Sequence, residues 1–296
     1  MTATRQAVEH QVPAPVRHGR RPGAARPLIH VVLAALGVTM LFPLLWMLPT
    51  SLETPGDQLA FPPQLLPTPP YFGNYAELFR VAPMARYLYN STEIAVLSVL
   101  GTTLTSSMAA YAFARMRFRG KNVIFAVLMA TMLIPVQVTL IPTFVMMRWL
   151  GWIDTHAALI VPNIFGSAFN VFLLRQFFRT IPQDLIDSAK IDGAGYLRIY
   201  WSICLPLAKP ALATVAVFNF LWSWNDLLGP LIFLNTQTKM TLTQGLTLLA
   251  GKPGTATSQW GILMAGGLIT VIPMLVVYFF AQRNFVEGLA RTGLKG

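Results

Sequence analysis

The sequence predicts an all-α membrane protein with six transmembrane helices and a short cytoplasmic helix between the fourth and the fifth. Three observations carry this. Of its 296 residues, 54% are hydrophobic and 11% charged, where a soluble domain averages about 25% charged; mean hydropathy is +0.55. Six apolar segments approach the ~20 residues that cross a bilayer as helix. Lys and Arg collect in alternate connections, as the positive-inside rule requires.

Taken in order, residues 1–27 form a basic tail with Arg5, Arg17, Arg20, Arg21 and Arg26, rich in Pro, Ala and Gly and expected to be disordered. The first span is 28–50. It exceeds a signal-peptide h-region, and no small-x-small cleavage site follows, so it is expected to be retained. Residues 51–87 form an extracytoplasmic loop in which "FPPQLLPTPPYFGNY" favours extended chain. The second span, 88–113, carries Ser98, Thr102, Ser106, Ala110 and Ala114 at four-residue spacing, a stripe for close helix packing. Glu93 lies shallow in that span and is expected to be solvated at the interface. The third span is 122–147, ending at Trp149 and Trp152, and the fourth is 157–178. The fifth and sixth, 211–234 and 261–282, lead to a cytoplasmic tail, 283–296; spans two to six make one transmembrane domain, 88–282. Pro135, Pro142, Pro162, Pro230 and Pro273 interrupt these helices and are expected to bend them. Both termini fall on the cytoplasmic side, because only Arg80, Arg86, Arg148, Lys239 and Lys252 of the 22 basic residues lie opposite. This accounts for the net charge of +11 without nucleic acid.

Catalytic and metal chemistry find no purchase. Cys204 is the single cysteine, the four histidines are scattered, and no nucleotide-binding loop occurs: Gly251-Lys252 is followed by Pro253. Asp226 is the deepest acid, in "FLWSWNDLLGPLIF". Trp224, Asn225 and Asp226 are read either as lining a substrate route or as a hydrogen-bond network between helices.

The connection 179–210 contains "DSAKIDGAGYLRIYWSICLPLAKP". Ile181-Pro182 suits a helix start and Asp184 its positive end. Leu185, Ile186 and Ala189 share one side, Gly193 and Gly195 break the helix, and Pro206 and Pro210 force turns. Such an amphipathic helix rests on lipid headgroups or docks in a partner's groove.

The spacing resembles the EAA loop of permease subunits of binding-protein-dependent ATP-binding-cassette importers: E-A-A, three residues, G, nine residues, I, one residue, L-P. Here Asp187-Ser188-Ala189 precede Gly193, and Ile203 and Leu205-Pro206 follow. Asp-Ser-Ala departs from Glu-Ala-Ala but keeps a carboxylate and small volume. "NSTEIAVLSV", "AYAFARMRFRGK", "WNDLLGPLIFL" and "FVEGLARTGLKG" are similar to the maltose-type carbohydrate branch, in its second-permease form. The resemblance implies a type I importer permease fold in a bacterial inner membrane. It implies a second homologous permease, a dimer of ATPase subunits that bind ATP and Mg, and an extracytoplasmic sugar-binding protein. This chain itself would hold no cofactor. Asp187, Ser188, Ala189, Gly193, Ile203, Leu205 and Pro206 would transmit the ATPase's motion. Ala250, Gly251, Lys252, Pro253 and Gly254 would meet the binding protein, and "RTGLKG" the ATPases. The competing class, an ion-coupled secondary transporter of a small polar solute, needs internal repeats and midplane ionisable groups; no convincing repeat occurs. A membrane enzyme would need a catalytic cluster, and none is visible.

Overall fold

The computed structural model describes residues 25–58, 66–251 and 260–293. Among them every regular element is helical. Two compact units divide at Leu45/Trp46. In the first, α1 (Ala25–Ser51) begins; Leu33, Leu36 and Met40 are exposed on it, a surface suited to hydrocarbon.

The second unit is built on α3 (Met84–Arg115), whose 32 residues reach ~48 Å. Against it pack α6 (Ala157–Ile164), α7 (Ala168–Thr180) and α11 (Lys209–Asn225); α11 also packs on α14 (Trp260–Gly293). The small-residue stripe explains why α3 is central. Ser98, Thr102, Ser106 and Ala110 are buried, and small side chains let backbones approach where lipid gives helices no hydrophobic reason to associate. The stripe has a second use. The fourth span breaks between α6 and α7 at Phe165–Ser167, where Gly166 takes φ +83°. Carbonyls freed by the break must find donors, and Thr102 and Thr105 hydroxyls donate to Asn163 and Ile164.

Two expected spans are corrected. The segment 122–147 is not one helix. α4 (Lys121–Ala130), extended by a tight turn to Leu133, meets α5 (Val136–Trp149) at 101°. Ile134 precedes Pro135, and the proline ring drives the preceding residue out of helical geometry; Ile134 adopts φ −83°, ψ 115°. Each leg is ~20 Å long, short of the ~30 Å hydrocarbon core. The fifth span is not 211–234 either. It ends at Asn225, and α12 (Leu228–Phe233) is a separate short helix. At its other end α11 turns by 77° from the segment Tyr196–Leu207, formed by α9 (Tyr196–Ile199), a wide π turn (Tyr200–Cys204) and α10 (Leu205–Leu207). Pro206 sits just after the wide turn, where its missing N–H disrupts the regular ladder, while the bend itself falls at Ala208. Four helices are long and apolar enough to cross a membrane, and up to six spans result if each bent pair counts as one.

The described parts of the loop 51–87 are also more ordered than their prolines suggest; residues 59–65, with Pro62 and Pro63 of the expected extended stretch, lie outside the described residues. The loop contains α2 (Gly73–Val81), and Asn74 donates to the carbonyls of Ser51 and Glu53 at 2.9 and 2.8 Å.

Candidate functional site

The connection after α7 folds as α8 (Gln183–Ile191). Pro182 precedes its first turn and Asp184 stands in that turn, where a carboxylate faces the positive helix end. Ile186 and Ala189 are buried in a core with Tyr111 and Phe113 of α3, Leu174 and Phe178 of α7, and Ile199, Tyr200 and Cys204. Leu185, one turn before Ala189 but about 100° around the helix from Ile186, sits at the edge of that side and is 47% exposed. Asp184, Asp187, Ser188 and Ile191 present the outward face, with Ile191 87% exposed.

The helix ends in a Schellman motif. Ala194 N donates to Ala189 O at 2.9 Å and Gly193 N to Lys190 O at 3.0 Å. Gly193 takes φ +78°, which side chains resist. Gly195, by contrast, has φ −73° and ψ 167°, open to any residue, so the break belongs to Gly193 alone. A Cβ at Gly193 would touch nothing within 4 Å. Gly193→Ala is therefore expected to weaken the elbow by about 1 kcal/mol through backbone strain alone. Hydrogen exchange at Gly193 and Ala194 should quicken several-fold, with Gly195→Ala as the neutral control.

Arg115, which sequence reading treated only as one charge among several, fastens this elbow. Its guanidinium donates to Phe178 O, to Ile181 O and, at 2.8 Å, to Gln183 Oε1. Gln183 Nε2 donates to Asp187 Oδ1 at 3.0 Å, and Lys190 Nζ reaches the same oxygen at 3.2 Å. A polar chain thus runs from the end of α3 to Asp187. The Gln183 hydrogen bond first, then Lys190, hold the Asp187 carboxyl below the usual carboxylate range, so it is charged at neutral pH. Ser188 Oγ donates only within its own helix, to Asp184 O. Beneath, Tyr111 OH donates to Tyr196 O at 3.1 Å, and Tyr200 OH lies 2.6 Å from Ser107 Oγ. Ile203 and Leu205 are half-buried against this core and Pro206 is exposed. The seven residues of the motif therefore share one elbow on the end of α3 and α7.

The other two candidate groups are less unified. Trp224 is buried; its Nε1 donates to Thr270 O of α14 at 3.1 Å, and it stacks on Phe220. Asn225 is exposed and bonds its own helix at Leu221 O. Asp226 lies beyond the helix end, not deep in a span, and its Oδ1 accepts from Gly229 N at 3.2 Å as α12 begins. Ala250 ends α13 (Leu242–Ala250) and Gly251 follows it; Lys252, Pro253 and Gly254 lie outside the described residues.

A second polar cluster, which spacing could not reveal because its partners are 63 to 85 residues apart, sits at the other end of α3. Asp154, at φ +57°, accepts from Asn235 N, Thr236 N, Thr236 Oγ1 and Lys239 Nζ at 2.9, 2.9, 2.6 and 3.1 Å. His156 lies 3.2 Å from Glu93 and 2.9 Å from Lys239 O; Glu93 is thus half-buried and partnered rather than freely solvated. The Thr236 hydroxyl and amide hold the Asp154 carboxyl far below the usual carboxylate range. With the folded value depressed, this clasp is fully formed above the unfolded value of about 4 and weakens only as pH falls through the lower folded one. Exchange protection of the Asn235 and Thr236 amides should therefore stay constant from neutral pH down to about 5 and be lost in strong acid; Asp154→Ala should remove it throughout.

The profile of a family described as "binding-protein-dependent transport system inner membrane component" matches residues 101–291, most of the chain, including the whole elbow. The chain belongs to this family. It is a multi-pass membrane permease subunit of an importer, and a transport subunit rather than an enzyme. This permease is 34% identical to the diacetylchitobiose uptake system permease protein NgcG of Streptomyces coelicolor, over 88% of this chain and 86% of that one. It is 33% identical to the sn-glycerol-3-phosphate transport system permease protein UgpE of Yersinia enterocolitica, over 88% and 94%. Among solved structures it resembles a chain of a bacterial ABC transporter involved in the import of the acidic polysaccharide alginate. There the TM-score is 0.79 at 25% identity, covering 88% of this permease and 95% of that chain.

Proposed function

We propose that this permease carries a carbohydrate inward, delivered by an extracytoplasmic sugar-binding protein, and that it does so beside a second, similar permease. Names among its relatives support the solute class: diacetylchitobiose, alpha-glucoside and alginate all appear. The observation that carries the mechanism is the α8 elbow. It presents an outward stripe, Asp184, Asp187, Ser188 and Ile191, yet is fixed to α3 and α7 by Arg115 and by a buried aromatic core. A helix held rigidly on one side and open on the other is a handle. Force applied by an ATPase dimer that binds ATP and Mg would pass into α3, α7 and α11 with little lost to local bending. The density of Lys and Arg at this end supports its placement in the cytoplasm, with both termini.

On this reading the solute passes beside the α11–α12 break; Asn225 is exposed there and Asp226 turns the chain, which supports the reading, as does Trp224, anchored on Thr270. Asn225→Ala is expected to lower uptake several-fold at unchanged protein level; full uptake would remove Asn225 from the path. The whole assignment is tested by uptake into vesicles. It should require ATP, survive an uncoupler, and depend on a co-purifying second permease and ATPase. Transport by this chain alone would contradict it.

A further inference from the structure

The connection between α3 and α4 gathers cations that the transport mechanism leaves unused. Arg117 and Arg119 are exposed and make no hydrogen bond among the described residues. Lys121 donates to Met116 O at 2.9 Å, closing the loop on itself, and feels the positive charge of Arg175, Arg179 and Arg117. Arg175 is spent on Phe113 O, at 3.3 Å, and on the Phe125 ring, 4.1 Å from its centre. None of these five takes part in any ion pair among the described residues. Asp184, Asp187 and Asp192, on and just after α8, are the acids nearest in sequence to Arg175 and Arg179, and Asp187 is engaged by Gln183 and Lys190. Beside Arg117 and Lys121 opens a shallow cleft of about 350 Å³, lined also by Gly120 and Asn122. From its edge runs a wholly apolar strip of α4: Val123, Ile124 and Val127 are 68%, 51% and 61% exposed.

Like charges brought together without an acid repel one another, so an anion that joins the cluster relieves that repulsion. The cleft stands at the junction of two membrane helices, where headgroups lie, and apolar surface leads directly away from it. A soluble anion would use the cations and leave that strip; a phospholipid uses both. We propose that the α3–α4 elbow holds the phosphate of one anionic phospholipid, with Arg117 and Lys121, which line the cleft, as its donors, the exposed Arg119 adding positive charge to the same loop, and an acyl chain along Val123, Ile124 and Val127.

The test is native mass spectrometry on the assembled importer in mild detergent, titrated with phosphatidylglycerol or phosphatidylcholine, and in a separate arm with inorganic phosphate as competitor. Phosphatidylglycerol should be retained over phosphatidylcholine, phosphate should not displace it, and Arg117→Gln/Arg119→Gln should reduce retention by roughly tenfold or more. Arg148→Gln, at the far end of α5, should not. Arg117 and Arg119 make no hydrogen bond or ion pair among the described residues, so the double variant should assemble; if it does not, Arg117→Gln alone must still lower retention. Equal retention of both lipids, displacement by free phosphate, or undiminished retention in the variants would overturn the proposal. So would loss of the ATPase from the double variant with lipid retained, since the cluster would then be a protein contact.

Discussion

Uptake is expected to fall by roughly tenfold or more when Ser188 is replaced by tryptophan, with the amount of permease in the membrane unchanged. Ser188 faces outward from α8, and its hydroxyl bonds only Asp184 O of its own helix. Nothing inside the permease relies on it, and a bulky residue at an exposed helix position shifts helix stability by only about 0.5 kcal/mol. The consequence therefore falls on whatever docks against this face. A close-packed groove built for a serine cannot take an indole without displacement, and overpacking costs about 1–3 kcal/mol, where 1.4 kcal/mol is a factor of ten. Solute uptake, membrane content by immunoblot and ATPase co-purification should be measured together. Loss of uptake with normal permease content places the defect at the handle. Wild-type uptake would show that this face meets nothing during transport, and the coupling role of α8 would be lost with it.

Where local chemistry decides structure, the sequence was legible. Pro182, Asp184 and Gly193 mark the start and end of α8 because each acts on its own turn of backbone. The stripe from Ser98 to Ala110 declares a buried face because four-residue spacing is a property of one helix. Failures came where length and hydrophobicity were asked to determine direction. Residues 122–147 and 211–234 are mostly apolar, and apolar composition is the same whether a chain runs straight or turns by 101°. Pro135 was visible, yet a proline inside α5, Pro142, leaves its helix unbroken. The Asp154 clasp and the anchoring by Arg115 were hidden because their partners are 60 or more residues away in sequence.

Arg115→Met should uncouple the elbow without unfolding the bundle. Phe178 lies in the last turn of α7, and the amide that would ordinarily donate to its carbonyl belongs to residue 182, a proline with no N–H. The same proline that starts α8 therefore strands an acceptor, and Arg115 reaches across from the end of α3 to supply the donor. It adds a bond to Ile181 O and another to Gln183. Hydrogen bonds from a charged group contribute about 1.5–3 kcal/mol, reduced here because the guanidinium is partly open to solvent. Losing the set should raise local opening of α8 by about 2 kcal/mol, a roughly thirtyfold acceleration of amide exchange confined to 183–191. Methionine preserves much of the apolar stem, so the aromatic core around Tyr111 and Phe178 should hold. Arg115→Lys should fare little better, since an ammonium cannot fork across two carbonyls and an amide oxygen. If α8 is the handle, ATP should still be hydrolysed while less solute moves per ATP. Unchanged exchange in 183–191 would show that Arg115 is not the fastening. Fast exchange with unaltered uptake per ATP would show instead that transport does not need a rigid elbow.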